Sequence, residues 1–483
     1  MHSVGEIDAY ASRVVAACTV GDVGALNEVA TWMAGLAAED LVRLDQRARR
    51  RWMSPQQRDG IARDWGADRL AAHPRSALAM SMVADGYVRE RAVAVLTRQP
   101  GTHASRALAL RTCDHILPIR VSACAAILGR TDPAHLDAIT PVLLVLNRFA
   151  RDWRGAVLDE YHASAGQRHG NRSMWALLRA NEDRLVRRFA AGRSIEDGTL
   201  GPDGAAASYP GEKDVVVQRV LGRLLLRDGE PSVVAPLLTR GISASDRAGA
   251  LARFDADVLA RDDVRRLLFD SSVLVRLWAC RRWAELGEDP VAACRDVTGS
   301  ASLPARVRAR AHLGLREAGC PPGPDEIRAL IESDESPLRA MGLRLLVGQA
   351  VADDVPGLLR QVVDGSRGEA RLATGVLAAQ LELWRTADVE ALWGEPDPET
   401  RRRAWVLERA RGGWDAVVAD LRACGHDDPA LHAAAYSVVA ALPAYTVPTA
   451  AHRERISELL PGSRLPESKR RAIAVWAGVE SGH

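Results

Sequence analysis

The sequence predicts an all-α fold, an α-α superhelix of helix pairs that repeat about every 31 residues. One phrase returns along most of the 483-residue chain: an apolar residue, an arginine and, three positions later, a small residue. The composition also favours helices, because alanine, leucine and arginine are abundant while aromatic residues make up only 5%. Glycine and proline punctuate the ends of the predicted helices.

The repeat is clearest when the phrase is aligned on its arginine, as in LVRLWA, RVRARA and PLRAMG. From Arg276 onward the steps between successive arginine positions, here called slots, are 32, 31, 32 and 30 residues. The full set of slots is Arg58, Arg89, Arg120, Arg154, Arg187, Arg219, Arg247, Arg276, Arg308, Arg339, Arg371, Arg401 and His432. A period of this length, sustained over most of a chain, is typical of stacked repeats.

Each repeat predicts two helices, the second of which begins near the slot. Val275, Ala279, Trp283 and Leu286 recur at helical spacing and predict one buried stripe. The small residue at the third position after the slot lets neighbouring helices approach closely. Because one helix pair cannot bury its apolar face alone, stacking of the pairs should stabilise the array.

The phrase D-x5-V/I-R-x-x-A resembles the HEAT repeat, in the short-period form of the HEAT-like units of phycobilin lyases. Asp114 lies six residues before Arg120, and Asp270 lies six residues before Arg276. The resemblance covers roughly residues 55–440. It implies that such arginines and aspartates form a structural ladder between adjacent repeats. The ladder residues would be Arg89, Arg120, Arg276, Arg308, Arg339, Asp114 and Asp270.

Departures from the repeat suggest four segments. Residues 1–191 form N-terminal helical repeats with basic segments, and residues 215–440 form the more regular repeats. Between them, residues 192–214 are rich in glycine, proline, alanine and serine and predict a flexible loop or linker. Residues 441–483 predict a C-terminal capping helix. The polar stretch 161–175 predicts an inter-repeat insertion or, as the alternative, a binding loop.

Motifs for catalysis, nucleotides and metals are missing from the sequence. The chain has only two lysines, Lys213 and Lys469, and no GxxxxGK, so a P-loop is excluded. HExxH, GxSxG and zinc-type spacing of cysteine and histidine are also absent. The stretch GHDDPALH, residues 425–432, favours a helix start at Asp428 over a metal site. We therefore expect no catalytic residues, metal or cofactor.

Two basic segments are candidates for binding an anion or a partner. Arg43, Arg47 and Arg50 share one face of a predicted helix, opposite an apolar face. The second segment spans residues 147–193. The complete candidate set is Arg43, Arg47, Arg50, Arg51, Arg148, Arg151, Arg168, His169, Arg172, Arg184 and Arg188. The alternative is a solvated basic face, and the arginine bias itself is typical of a GC-rich genome.

Three functions fit these features. The leading hypothesis is a non-enzymatic HEAT-repeat scaffold that binds a protein partner through the concave surface made by its second helices. The second is a nucleic-acid-binding protein, because HEAT-like proteins include bacterial alkylpurine DNA glycosylases; Trp153 and Asp159 would then be the candidate site residues. The third is a lyase-like or chaperone-like role toward a cofactor or peptide.

Composition also bears on location and partners. Seven cysteines without a CxxC pair, no basic region at the N-terminus and no apolar run long enough for a membrane predict a cytoplasmic protein without a membrane partner. The net charge of +2 is small for a dedicated nucleic-acid binder. The sequence leaves the oligomeric state open.

Overall fold

The computed structural model describes residues 3–51, 54–148, 154–439 and 446–479, and the regular elements in these ranges are all helices. The α-helices are α1 (Val4–Val20), α2 (Val23–Ala34), α3 (Ala38–Arg50), α4 (Pro55–Asp64), α5 (Ala67–Ala72), α6 (Ser76–Met80), α7 (Gly86–Leu96), α8 (Thr102–Arg111), α9 (Leu117–Leu128), α10 (Pro133–Arg148), α11 (Arg154–His169), α12 (Asn171–Arg179), α13 (Arg184–Glu196), α14 (Pro202–Ser208), α15 (Val215–Asp228), α16 (Pro231–Thr239), α17 (Ala244–Arg253), α18 (Arg261–Leu267), α19 (Val273–Glu285), α20 (Pro290–Thr298), α21 (Ala305–Glu317), α22 (Pro324–Ile331), α23 (Ser336–Leu346), α24 (Val355–Asp364), α25 (Arg367–Ala379), α26 (Thr386–Val389), α27 (Pro398–Ala410), α28 (Gly413–Gly425), α29 (Pro429–Val438), α30 (Ala450–Leu459) and α31 (Glu467–Ala477). Short 3-10 helices lie at Tyr209–Gly211, Ala352–Asp354, Leu381–Leu383 and Glu390–Gly394.

The slots of the sequence repeat coincide with the second helix of each pair. Every odd-numbered helix from α7, which contains Arg89, to α29, which contains His432, carries one slot. The even-numbered helices between them supply the first helix of the pairs. The predicted all-α fold of repeated helix pairs is confirmed.

Four of the second helices begin at an aspartate placed four residues before the slot. Asp85, Asp183, Asp397 and Asp428 each accept a hydrogen bond from a main-chain N–H of the first helical turn. At Asp428 the donors are Ala430 and Leu431, and proline follows at the first helical position. This is the helix start that GHDDPALH predicts.

The chain divides into two compact units, Met1–Leu259 and Ala260–His483. In the first unit α7 packs on α9, α9 on α11, α13 on α15 and α15 on α17, so second helices of adjacent repeats contact one another. The helices α1, α2 and α3 pack together ahead of this row. None of the described helices combines the length and the apolarity needed to cross a membrane.

In the second unit the row of second helices is continuous from α21 through α23, α25 and α27 to α29. The first helices α22, α24 and α28 each pack against the second helix of their own pair. The small residue three positions after the slot lies at this packing surface, since Ala279, Ala311 and Ala404 are completely buried. Close approach of the helices is therefore possible at each of these positions.

Two stretches that the sequence marks as irregular contain helix. In 192–214, α13 continues to Glu196, α14 forms at Pro202–Ser208, and Tyr209 is buried with its hydroxyl 2.9 Å from Asp246 Oδ2. Composition alone misses this because the tyrosine contact is made across 37 residues of chain. The division between the compact units falls between Leu259 and Ala260. The stretch 161–175 is likewise helical on both sides of Gly170.

Candidate functional site

Most of the slot arginines in the described residues are bound by other groups of the protein, and Arg89 gives the pattern. Its Nη1 donates to the carbonyl oxygens of Val83 (2.9 Å) and Ala84 (2.7 Å), just before the start of its own helix. Its Nε and Nη2 donate to the two carboxylate oxygens of Asp114 at 2.9 and 3.1 Å. One guanidinium thus ties the start of α7 to the segment before α9.

The same two-sided contact recurs along the chain. A main-chain carbonyl five or six residues before the slot accepts from Arg120, Arg187, Arg247, Arg276, Arg308, Arg339 and Arg401. A carboxylate from a following repeat pairs with several of the same residues: Glu212 with Arg187, Glu317 with Arg276, Glu335 with Arg308, Glu369 with Arg339 and Asp428 with Arg401. These arginines therefore connect repeats.

The two predicted ladder aspartates differ in how they take part. Asp114 accepts from Arg89 through its carboxylate and from Arg120 through its main-chain oxygen, at 3.1 Å. Asp270 accepts from Arg276 through its main-chain oxygen at 2.6 Å, while its carboxylate accepts from Ser272 N at 2.8 Å. The carboxylate that meets Arg276 belongs to Glu317 instead.

The predicted basic stripe on α3 is largely paired. Arg43 donates to Glu39 at 2.8 Å, and Arg47 Nε lies 3.6 Å from Asp8 Oδ1. Arg51 donates to the main-chain oxygen of Asp8 at 2.9 Å. Arg50 is exposed and makes no ion pair with any described residue. Three of the four arginines therefore contact neighbouring helices or their own turn.

The second basic segment divides in the same way. Arg168 donates to Gly129 O (3.2 Å), His169 lies 3.3 Å from Thr131 Oγ1, and Arg188 binds both carboxylate oxygens of Asp214 at 3.0 and 3.1 Å. Among the candidate arginines of this segment, those that are exposed and have neither an ion pair nor a hydrogen bond to a described residue are Arg148, Arg172 and Arg184. Arg151 and Trp153 lie outside the described residues, and Asp159 pairs with Arg193.

A groove on the second unit gathers arginines that the sequence analysis did not select. It has a volume of about 350 Å³ and is lined only by α21, α23, α25 and the serine that caps α25. Its arginines, called here the groove arginines, are Arg306, Arg310, Arg344 and Arg371. The groove therefore lies on the row of second helices, across three consecutive repeats.

Three of the groove arginines are available to a ligand. Arg306, Arg344 and Arg371 are exposed and have no ion pair or hydrogen-bond partner among the described residues. Arg310 is half-buried and donates to Phe269 O at 3.3 Å. Since a guanidinium stays protonated throughout the ordinary pH range, the groove keeps its positive charge.

The carboxylate in the groove lining belongs to Glu369, and it is already bound. Its oxygens accept from Arg339 Nε at 2.9 Å and from Ser366 N at 2.8 Å. Burial alone would raise the pKa of Glu369, but hydrogen bonds from Ser366 and Arg339 outweigh burial and lower this pKa. Glu369 is therefore ionised at neutral pH and directed to the ladder, so it leaves the groove arginines unneutralised.

The floor between the arginines is apolar. Ala309, Pro337, Ala340, Met341 and Leu372 line it. Guanidinium groups pair with carboxylates in a two-pronged geometry, and an apolar floor accepts aliphatic side chains. The arrangement suits a segment that carries acidic and apolar side chains together.

The groove was missed because its arginines hold different places relative to the slot. Arg306 lies two residues before a slot, Arg310 two after, Arg344 five after the next, and Arg371 is itself a slot. A search for one repeated position does not bring them together. Placing the three predicted helices side by side would have provided the signal.

Comparisons with known proteins return structural neighbours only. No protein-family model and no curated protein sequence matches the chain. The karyopherin Kap121p, bound to the extreme C-terminus of the protein phosphatase Cdc14p, aligns over 95% of this chain with 11% identity and a TM-score of 0.33. An engineered protein aligns over 83% of it with 14% identity and a TM-score of 0.22. This chain spans 62% of the length of the karyopherin chain.

Proposed function

We propose that the protein is a non-enzymatic scaffold that binds an acidic, partly apolar segment of a protein partner on the row of its second helices. The observation that carries the proposal is the groove across α21, α23 and α25, where four arginines surround an apolar floor. The slot arginines that pair with neighbouring repeats stabilise the array, whereas Arg306, Arg344 and Arg371 in the groove remain free for binding.

A protein segment fits this groove better than a nucleic acid. Affinity for nucleic acid rests on neutralising many phosphates, and three freely exposed arginines would neutralise few of them. The floor of Ala340, Met341 and Leu372 offers nothing to a phosphate backbone, but it removes aliphatic side chains of a peptide from water. The net charge of +2 gives no chain-wide attraction to polyanions.

A defined probe tests the proposal without knowledge of the partner. The probe is a fluorescein-labelled peptide of alternating glutamate and leucine, and fluorescence anisotropy measures its binding to the full-length protein. A peptide with lysine in place of glutamate and a labelled DNA duplex serve as the comparison ligands. We expect saturable binding of the acidic peptide and at least about tenfold weaker binding of the other two.

Charge reversal identifies the surface. The triple variant Arg306→Glu, Arg344→Glu, Arg371→Glu should weaken peptide binding at least about tenfold, because repulsion replaces attraction at each contact. The matched control reverses Arg50, Arg172 and Arg184, which are also exposed and lie in the first unit. If the control variant loses the peptide and the groove variant keeps it, the groove is not the binding surface. If DNA binds more tightly than the peptide, the partner is a nucleic acid.

A further inference from the structure

A second cavity lies in the first unit, among α11, α12 and α13. Its volume is about 360 Å³. His162, Trp175 and Phe189 line it and contact one another, with ring centroids 5.4 Å apart for His162 and Trp175, 5.2 Å for His162 and Phe189, and 5.8 Å for Trp175 and Phe189. Three aromatic rings therefore form one wall of the cavity.

The wall is fixed by contacts behind it. The ring of His162 bonds Leu158 O at 2.9 Å and Thr140 Oγ1 at 3.1 Å, and burial lowers the pKa of His162 to about 4. The imidazole is consequently neutral at pH 7. Trp175 Nε1 donates to Asp197 Oδ2 at 2.6 Å, which sets the plane of the indole. The wall is thus uncharged and held in place on two sides.

The rim of the cavity is acidic. Asp159, Glu196 and Asp197 line it beside a single cation, Arg193. The lining thus holds three acidic side chains and one basic side chain, and Arg179, which is not part of the lining, interacts electrostatically with Asp197. The side chains of Asp159 and Glu196 are 58% and 67% exposed, so they can turn toward a ligand without unfolding the helices.

Arg193 shows how a guanidinium sits here. Its Cζ lies 5.6 Å from the centroid of Phe189, within the range of a cation–π contact. The same guanidinium pairs with Asp159 and lies 3.4 Å from Glu196 Oε2. An aromatic face and two carboxylates therefore already hold one guanidinium, and its side chain is 40% exposed.

We propose that this cavity binds the guanidinium of an arginine ligand, stacked on the aromatic wall and paired with Asp159 and Glu196. The site is separate from the groove on the second unit and has the opposite charge preference. Two sources can supply the guanidinium, free arginine or an arginine side chain within a peptide. Arg193 competes with the ligand for Asp159, and its positive charge repels the guanidinium of the ligand.

Calorimetric titration of the full-length protein tests the proposal with three probes: N-acetyl-arginine amide, free L-arginine and N-acetyl-citrulline amide. Citrulline keeps the shape of arginine and lacks its charge. We expect the capped arginine to bind saturably and the citrulline probe at least tenfold more weakly. Tighter binding of the capped probe than of free arginine indicates a peptide source, and the reverse indicates the amino acid.

Variants locate the site and give opposite results. The double variant Asp159→Asn, Glu196→Gln should bind the capped arginine at least tenfold more weakly, whereas Arg193→Gln should bind it several-fold more tightly. Glu90→Gln, an exposed acid on α7, is the matched control and should change nothing. Equal affinity for arginine and citrulline, or a double variant that binds like the parent while melting normally, would overturn the proposal. Absence of saturable binding to the parent and to Arg193→Gln would do the same.

Discussion

Arg89 and Asp114 are completely buried partners that lie 25 residues apart in the chain and join two consecutive repeats. Two further arginines approach the same carboxylate: Arg49 Nη2 lies 3.2 Å and Arg111 Nη1 lies 3.4 Å from Asp114 Oδ2. Asp45 in turn contacts Arg49 and Arg111. Asp114 is thus the point where the ladder meets the N-terminal helices, and its carboxylate contacts three guanidinium groups.

Loss of the charge at Asp114 should destabilise the first unit strongly. Asp114→Asn keeps the size of the side chain but leaves the buried Arg89 without a carboxylate partner, and leaves Arg49 and the buried Arg111 with Asp45 alone. Removing one partner of a buried ion pair typically costs about 3–5 kcal/mol. Urea denaturation followed by circular dichroism measures the free energy of unfolding. Asp59→Asn, an exposed position with the same change of charge, should alter it by less than about 0.5 kcal/mol.

The same carboxylate should contribute to acid sensitivity. Burial would raise the pKa of Asp114, but hydrogen bonds and charges from Arg89 and Arg49 overcome it and lower the pKa to about 2. A carboxyl whose folded pKa is depressed stabilises the folded state above its unfolded pKa, near 4, and this contribution disappears as the pH falls toward 2. The stability gap between the parent and Asp114→Asn should therefore narrow by about 2 kcal/mol between pH 5 and pH 2. A constant gap would contradict the depressed pKa.

Arg308 offers a direct test of the ladder in the second unit. Its Nε donates to Leu303 O at 3.1 Å and its Nη2 pairs with Glu335 of the next repeat. Arg308→Ala should cost on the order of 1–3 kcal/mol, since it leaves polar groups of two repeats without their donor. The control is Arg306→Ala, because Arg306 is exposed and lies two residues earlier in α21. This variant should leave the melting temperature nearly unchanged. Equal melting temperatures for both variants would show that the arginine at the slot contributes no more to stability than an exposed arginine nearby.

Two glycines on neighbouring second helices should respond to alanine in opposite ways. A Cβ at Gly342 of α23 would lie 2.7 Å from Ile331 Cγ1 and 2.9 Å from Ile331 N, so α22 would have to move. At Gly375 of α25 nothing lies within 4 Å. We expect Gly342→Ala to destabilise by about 1–3 kcal/mol and Gly375→Ala to stabilise by about 0.5–1 kcal/mol. Thermal unfolding of the two variants side by side measures the difference, and the same sign for both would contradict the proposed helix contact.

The repeat period was predictable because it depends on short-range rules. An apolar stripe and a small residue three positions after the slot both act within one helix. The carboxylate partners of the slot arginines were not predictable from the sequence, because no fixed spacing links them to the slot. Asp114 follows its arginine by 25 residues, Glu369 by 30 and Glu317 by 41. The slot arginine of each repeat pairs with whichever acidic side chain the packing of the neighbouring repeats brings close to it.

Free and bound arginines likewise look the same in the sequence. Arg188 and Arg184 lie one turn apart on α13, and the sequence analysis selected both for an exposed basic face. Arg188 binds Asp214, 26 residues away, while Arg184 remains exposed. Which of two adjacent arginines is available to a partner depends on the neighbouring repeat, and that information enters only with the packed structure.

Trypsin should first cleave the segment 192–214 at one peptide bond, and the two resulting fragments should remain associated. Arg193 lies within α13 and pairs with Asp159, whereas Lys213 is exposed and lies between the 3-10 helix at Tyr209–Gly211 and the start of α15. We therefore expect trypsin to cut first after Lys213, since cleavage needs an extended, accessible backbone. The fragments should coelute in gel filtration, because α13 packs on α15 across the cut and Arg188 binds Asp214.

Substitution of Lys213 tests whether the first cleavage depends on this trypsin site. Lys213→Gln removes the favoured trypsin site and should slow the first cleavage, and the remaining cuts should then fall elsewhere in the chain. Independent elution of the fragments after cleavage at Lys213 would mean that 192–214 joins two separate domains, which is the organisation the composition of the segment suggests. Coelution would mean that the stacking of repeats continues across it, with α14 and the buried Tyr209 as part of the packed array.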